Sequence, residues 1–340
     1  MQRKRRNRGK CSADLQVCQA GLKTCATGLD FQRFTVNMQN KIVFYAPGLK
    51  RYETSEFKQL TPENFLPISV TGTYCALDCD HCKRQLLRFM RPATTPGKLL
   101  ETCREAVKRG TRGVLISGGC DLRGSVPLED FFPALSYIKN RLGLKVFVHT
   151  GLVGNTQALG LKKASVDAVL IDIIGSDETI KEVYHLEAGV AHYQAALRFL
   201  TQHEVSIMPH IVLGLHYGKL RGEETALDLV SQYRLKALVI VILTPLLGTP
   251  MEAVRPPSCK EVGDFFKKAR GRLPATPIIL GCARPMGEYK QEVDRLAIDA
   301  GLDGIAFPSE GAVSYARERG LEVVFMESCC GLELPSPCLI

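Results

Sequence analysis

The feature that most constrains the fold is an alternation of apolar and amphipathic segments that begins near residue 65. Short runs rich in Val and Ile alternate with amphipathic stretches of 10 to 15 residues, which is typical of βαβ units and a parallel sheet. Because crossover helices join eight such runs, we predict an α/β fold, a closed (β/α)8 TIM-type barrel with short N- and C-terminal extensions. A doubly wound open sheet is the alternative. The eight predicted strands are Leu66–Thr71, Gly113–Ser117, Lys145–His149, Ala168–Asp172, Ser206–Leu213, Ala237–Thr244, Pro277–Gly281 and Gly304–Phe307.

The length of the chain fits this arrangement, since its 340 residues exceed the roughly 250 that a complete barrel takes. We predict that the barrel occupies residues 65–320. Residues 1–64 then form a basic tail and an N-terminal extension, in which the segment 41–50 (KIVFYAPGLK) is an extra strand or a plug. Residues 321–340 form a C-terminal extension that contains cysteines.

Reactive residue types are concentrated where the predicted strands end. In a barrel of this kind the chemistry takes place at the C-terminal ends of the strands, and a purely structural barrel has no need of Cys, His, Asp and Arg there. The sequence therefore predicts a functional rim. Its residues are Cys75, Cys120, His149, Asp172, His210, Cys282 and Arg284.

The most specific motif is the cysteine triplet Cys75, Cys79 and Cys82 directly after the first predicted strand. Three thiolates within eight residues can surround one metal centre. Iron–sulfur cubanes are normally held by four cysteines, so a cubane held by three has one iron open to an exogenous ligand. The alternatives are a zinc site, which needs four closed ligands when it is structural, and unliganded structural thiols. The odd total of 13 cysteines favours metal ligands over disulfides in a reducing compartment.

This C-x3-C-x2-C loop resembles the signature of the radical S-adenosylmethionine (SAM) superfamily. The resemblance implies a 4Fe–4S cluster whose open iron chelates SAM, and reductive cleavage of SAM to a 5′-deoxyadenosyl radical that abstracts hydrogen from an unactivated C–H bond. It also implies that His81 lies against the adenine. Gly118 and Gly119 resemble the family's glycine motif, whose backbone contacts the SAM amino group, although Cys120 stands where that motif is often acidic.

Longer stretches, such as CALDCDHCKRQLL, LISGGCDLRGSVPL and DGIAFPSEGAVSYA, are similar to a biotin-synthase-like group. That group includes one subunit of the archaeal-type two-protein lipoyl synthase. The similarity implies sulfur insertion into the octanoyl-lysine arm of an acidic lipoyl-carrier protein, with a second radical SAM protein as partner and ferredoxin or flavodoxin as electron donor. The alternatives are a free small-molecule substrate, as in biotin synthase, RNA modification, which no RNA-binding module supports, and a non-enzymatic iron–sulfur carrier.

Sulfur insertion needs a sulfur donor, and in similar enzymes that donor is a second iron–sulfur cluster. We predict Cys120, Cys282, Cys329 and Cys330 as its possible ligands, because two follow strands and the other pair can fold back over the rim. The alternative is that Cys329 and Cys330 belong to a packed or exposed tail. Another candidate set, Cys11, Cys18 and Cys25, has sulfurs about 10 Å apart if it is helical, which is too far for one cubane; these cysteines could converge on a cluster only from an irregular loop.

Four polar rim residues have open roles, and the sequence identifies no catalytic acid or base. His149, Asp172 and His210 are predicted cofactor contacts, to ribose or carboxylate groups, or else structural hydrogen-bonding residues. Arg284 is predicted to anchor the SAM carboxylate, to ligate or shield a cluster, or to pair with an acid.

The net charge of +9 comes mainly from residues 1–10, which carry six Lys or Arg side chains and no acid. This segment is a solvated arm or an arm that meets an acidic partner protein or RNA. No apolar run approaches the roughly 18 residues that would indicate a membrane span, and the basic start is not followed by the apolar region of a secretory signal. We therefore expect a cytoplasmic protein with no membrane association.

Overall fold

The computed structural model of the chain describes residues 40–48 and 51–331. The basic arm, Cys11, Cys18, Cys25 and Cys338 lie outside the described residues, so the predictions for them stay predictions.

The core of the fold is one parallel sheet of eleven strands. All eight predicted strands are present as β2 and β4–β10, and β1, β3 and β11 are additional. The strands are β1 (Lys41–Tyr45), β2 (Phe65–Ser69), β3 (Arg91–Pro92), β4 (Gly113–Ser117), β5 (Lys145–His149), β6 (Ala168–Asp172), β7 (Ile207–Leu213), β8 (Leu238–Ile242), β9 (Ile278–Leu280), β10 (Gly304–Ala306) and β11 (Glu322–Met326).

The order of the strands decides between the two predicted architectures. Along the sheet it runs β11-β1-β10-β9-β8-β7-β6-β5-β4-β2-β3, so β4 to β10 follow one another in chain order. A doubly wound sheet reverses direction at a switch point, and this sheet has no such reversal between β4 and β10. The alternative of a doubly wound sheet is therefore wrong.

The sheet curls into a half-barrel with an apolar interior. Buried side chains from strands that are far apart in the chain belong to one lumenal core, among them Tyr45, Phe65, Phe147 and Val239. The rings of Phe65 and Phe147 lie 6.2 Å apart, edge to face. The closed eight-stranded barrel of the prediction is not formed, because β3 and β11 are the edges of the sheet and no hydrogen-bonded pair joins them in the described part of the chain.

The two edge regions are nevertheless tied together by Glu327, which follows β11. Its carboxylate accepts a hydrogen bond from the backbone N–H of Thr61 at 2.7 Å, and its carbonyl accepts one from the side chain of Asn64 at 3.0 Å. The segment that enters β2 is thus held against the end of β11. The segments before residue 65 and after residue 320 contribute β1 and β11 to the same sheet.

Nine α-helices of the described chain cover the outside of the sheet, and their apolar faces pack on its outer face in the larger core. Their starts follow ordinary capping chemistry: the Ser258 side chain accepts a hydrogen bond from Glu261 N, and the Glu261 side chain accepts one from Ser258 N. The helices are α1 (Pro96–Lys108), α2 (Phe132–Asn140), α3 (Asn155–Lys163), α4 (Asp177–Tyr184), α5 (Val190–Gln202), α6 (Glu223–Val230), α7 (Cys259–Arg272), α8 (Glu288–Asp299) and α9 (Ala312–Glu318).

Within residues 40–48 and 51–331, none of these helices combines the length and the apolar character that crossing a membrane requires.

Candidate functional site

The cysteine loop leaves the C-terminal end of β2 and turns tightly. The N–H groups of Cys82 and Lys83 both donate to the carbonyl of Cys79, at 3.2 and 2.9 Å. Asp78, Lys83 and Arg84 adopt positive φ angles of 51°, 43° and 64°, which non-glycine residues seldom do. The tight turn of the loop therefore depends on backbone conformations that are strained for these residues.

The loop is held in place by Asp80. Its N–H donates to the carbonyl of Val183 at 2.9 Å, and its carboxylate accepts hydrogen bonds from His185 at 3.0 Å and Tyr217 at 2.8 Å. Burial opposes ionisation of Asp80, but these hydrogen bonds and Lys83 outweigh it and lower the pKa of the carboxyl group. Asp80 thus fastens the loop to the end of α4 and to the loop that follows β7.

The sulfurs of Cys79 and Cys82 lie in a poorly hydrated region. Burial raises the pKa of Cys79 and Cys82, and neighbouring cysteines raise it further. Among the described residues, two groups of three side chains have their ligand atoms within 4.8 Å of one another inside each group. Both groups consist of His, Asp or Glu, and neither contains a cysteine. A tetrahedral zinc site needs sulfurs about 3.8 Å apart, so the loop is more open than zinc requires.

The glycine turn after β4 packs directly on this loop. A Cβ atom on Gly119 would lie 2.0 Å from the Tyr74 carbonyl oxygen and 2.6 Å from the Cys75 Cα. The Gly119 N–H donates to the Thr71 hydroxyl oxygen at 2.7 Å, and the hydroxyl donates to the Tyr74 carbonyl at 2.9 Å. Only glycine fits here, because the turn and the cysteine loop are in backbone contact.

Besides Asp78 Oδ1, which forms an ion pair with Arg84, two buried polar atoms at the loop have no hydrogen-bond partner within the described chain: His81 Nδ1 and the Tyr184 hydroxyl. The two rings lie 5.1 Å apart. Burial lowers the pKa of His81 to about 4, so its imidazole is neutral at pH 7. Unpaired buried polar atoms are rare and costly, which indicates that a further group satisfies them when the site is occupied.

His149, Asp172 and His210 end the adjacent strands β5, β6 and β7. Each lies two residues after a lumenal core residue, Phe147, Leu170 or Met208 respectively, so all three side chains face the lumen at the C-terminal mouth. The His149 Nε2 lies 3.5 Å from the Asp172 Oδ1, and the two imidazole rings lie 5.6 Å apart. The structure therefore brings together three residues that the sequence placed only on a common rim.

The pKa values of these three residues are shifted in different ways by their surroundings. Burial lowers the pKa of His210 to about 4. Burial also disfavours the charged forms of the other two, but their mutual attraction is stronger. It raises the pKa of His149 and lowers that of Asp172 to about 2. An ionised carboxylate thus lies between two imidazoles.

The four cysteines predicted for an auxiliary cluster occupy different environments. The Cys120 N–H donates to the Cys75 sulfur at 3.3 Å, which places Cys120 beside the first cysteine loop. Cys282 is exposed. Cys330 is buried in the lumenal core with Cys329 packed against it, and the next residue, Gly331, approaches Met208 near the start of β7. Cys120 packs on the outer core instead, so the structure does not bring it together with the Cys329–Cys330 pair.

Arg284 takes the third of its predicted roles, pairing with an acid. Its side chain and that of Asp294 are both 0% exposed, and they form two hydrogen bonds, of 2.8 and 3.2 Å. Two further guanidinium N–H groups donate to the carbonyls of Gly281 and Phe307 at 2.8 and 3.0 Å. Through these four hydrogen bonds Arg284 braces the ends of β9 and β10.

Several residues of the site were not among those predicted from the sequence, including Asp80, Thr71 and Tyr184. Thr71 links the cysteine loop to the glycine turn, and its only signal is a hydroxyl residue placed just after a strand. Tyr184 lies at the end of α4, where its carbonyl is 3.8 Å from the Cys79 sulfur. Nothing in the sequence indicates that this helix end reaches the loop, since the contact depends on how α4 packs.

Comparison with known proteins adds information about the fold. No protein-family model matches the sequence, and no curated protein matches it. Methylornithine synthase (PylB) matches in structure with a TM-score of 0.51 at 16% identity, over 76% of this chain and 82% of that one. HydG, a maturase of the FeFe-hydrogenase, matches with a TM-score of 0.53 at 15% identity, over 78% of this chain and 57% of that one.

A second HydG structure, from Carboxydothermus hydrogenoformans, matches with a TM-score of 0.51 at 14% identity, over 85% of this chain and 69% of that one. The chain therefore shares its half-barrel fold with these proteins. At such low identity the similarity shows a common fold and no more. The activity has to be inferred from this chain's own residues.

Proposed function

We propose that the protein is a radical SAM enzyme whose cluster is held by Cys75, Cys79 and Cys82. The observation that carries the proposal is the backbone contact between this cysteine loop and the turn at Gly119, where no side chain fits. A three-cysteine loop leaves one position of a cubane unliganded, and the glycine turn packed against the loop fixes the position of Cys75.

The residues of the site fit both the cluster and SAM. The three thiolates would hold the cluster, and nearby N–H groups would stabilise its negative charge. His81 and Tyr184 hold two unpaired polar atoms in the same buried region, and we propose that His81 contacts the adenine. When bound, the cluster and SAM would supply a 5′-deoxyadenosyl radical that abstracts hydrogen from a C–H bond.

The chain's own contribution is to hold this site rigid and dry. Asp80 fixes the loop through His185 and Tyr217, and Cys79 is only 6% exposed. Excluding water protects a reactive intermediate from side reactions. The neutral His81 adds no charge beside the sulfonium of SAM, which favours binding of that cation.

At a finer level we propose sulfur insertion into an apolar acyl chain, as on an octanoylated carrier protein, with a second radical SAM protein as partner. An apolar rim supports this substrate class. Tyr74, Leu122, Leu247 and Met286 follow the ends of β2, β4, β8 and β9, and their exposed fractions are 65%, 78%, 87% and 66%. Exposed apolar residues gathered at one mouth are typical of a surface that meets an apolar ligand or a partner.

Iron and sulfide per chain after anaerobic reconstitution test both levels of the proposal. We expect the four iron atoms of one cubane to be lost when Cys75, Cys79 and Cys82 are all replaced by alanine. Cys259→Ser is the matched control, since Cys259 starts α7 and faces Glu292, and it should keep the wild-type iron content.

The number of iron atoms also tests sulfur insertion. About eight in wild type and about four in the triple variant would support a second, donor cubane. About four in wild type and none in the triple variant would remove the donor cluster and leave only the broader radical SAM proposal. Unchanged iron in the triple variant would contradict the assignment of the loop itself.

A further inference from the structure

The trio at the ends of β5, β6 and β7 has the composition of a metal site that shares no ligand with the cysteine loop. His149, Asp172 and His210 each offer one ligand atom, and these three atoms lie within 4.8 Å of one another. Two imidazoles and one carboxylate with open positions form a ligand set that zinc and non-haem iron(II) enzymes use.

The separations are close to those that ligation requires. Bonds of about 2.0–2.2 Å from the metal to nitrogen and oxygen place neighbouring ligand atoms about 3.0–3.5 Å apart. The His149 Nε2 and Asp172 Oδ1 are already 3.5 Å apart, and Asp172 pairs in register with His210 across β6 and β7. A small contraction of the rotamers would complete the set.

An independent observation is the orientation of His210. Its Nδ1 lies 3.2 Å from the backbone carbonyl of Met208, the geometry of a hydrogen bond in which Nδ1–H donates. Histidines that bind a metal commonly donate their second ring N–H to such a carbonyl, which fixes the tautomer and leaves the Nε2 lone pair for the metal. This contact holds the His210 ring in a ligating orientation.

We propose that His149, Asp172 and His210 bind one divalent first-row transition ion at the mouth of the half-barrel, with the open positions directed into the lumen. The competing assignment is that these residues contact the ribose or carboxylate groups of SAM. The other group with suitable spacing, Glu178, Glu182 and His216, has two exposed acids, and Glu178 pairs with Arg221. It serves as the control.

Zinc binding to the full-length, cluster-reconstituted protein tests the proposal. With the cysteine loop filled, zinc per chain is measured by elemental analysis after desalting, and its ligands by X-ray absorption. Zinc exceeds iron(II) in the usual affinity order, so it displaces residual iron. We expect about one zinc bound by nitrogen and oxygen, and binding weakened more than about tenfold in His149→Ala and in Asp172→Asn.

The Glu182→Gln control should bind zinc as wild type does, and all variants should keep the iron of the cysteine loop. If His149→Ala does not fold, Asp172→Asn decides, because it preserves the side-chain shape. Three results would overturn the proposal. The first is equal zinc binding by wild type and Asp172→Asn, and the second is zinc bound through sulfur. The third is a wild type that binds no zinc, together with loss of SAM affinity in Asp172→Asn. Because zinc is counted directly, this result is separate from SAM cleavage.

Discussion

Replacing Gly119 by alanine should abolish cluster loading. The added Cβ would lie 2.0 Å from the Tyr74 carbonyl oxygen and 2.4 Å from the Cys75 Cβ. Because the nearest atom belongs to the backbone, the cysteine loop as a whole has to move, and Cys75 moves with it. Overpacking of this kind costs about 1–3 kcal/mol or more. Iron per chain after reconstitution and the melting temperature measure the two consequences.

Gly97→Ala is the matched control for this variant. Gly97 lies in the first turn of α1, and a Cβ built there meets no atom within 4 Å. Alanine also favours helix over glycine by up to about 1 kcal/mol, so iron content should be unchanged and stability equal or higher. Full iron loading in Gly119→Ala would show that the turn and the loop are not in the contact described above.

Arg284→Ala should lower the free energy of unfolding by about 3–5 kcal/mol, because it leaves the buried Asp294 carboxylate without its partner. Both side chains are fully buried. Asp294 also accepts a hydrogen bond from the Ser309 N–H at 2.6 Å, so the charge cannot reach water without breaking the structure between α8 and β10. Urea unfolding at pH 7 measures the loss.

The double variant Arg284→Met with Asp294→Asn should be more stable than Arg284→Met alone, since the unpaired charge is removed while an acceptor for Ser309 remains. Arg272→Ala is the surface control. Arg272 pairs with Asp228 at 2.9 Å with both side chains 52% exposed, so its loss should cost at most about 1 kcal/mol. A loss in Arg284→Ala as small as this would contradict the bracing role.

The sequence was sufficient for the interior strands and insufficient for the edges of the sheet. β4 to β10 are buried on both faces, so they read as continuous apolar runs. β11 carries a similar run, Val323 to Phe325, but its burial depends on pairing with β1, about 280 residues earlier in the chain. That pairing is set by the curl of the sheet, which local periodicity does not contain.

In the candidate site, too, some features could be predicted from the sequence and others could not. The cysteine loop could be predicted because its ligands are adjacent in sequence. The approach of His149, Asp172 and His210 depends on the register of three strands, and sequence analysis could place them only on one rim. For Arg284 the sequence left three partners open, because its partner Asp294 lies ten residues on, in α8.

The most direct test of the account is the formation of 5′-deoxyadenosine. The reconstituted wild-type protein, reduced with dithionite in the presence of SAM, should yield 5′-deoxyadenosine and methionine in equal amounts, and Cys79→Ala should yield neither. This result would establish that the loop at Cys75, Cys79 and Cys82 supports reductive cleavage of SAM. A wild-type protein that carries the four iron atoms of the cysteine loop's cluster and binds SAM, yet forms no 5′-deoxyadenosine, would contradict the proposal that this fold carries radical SAM chemistry.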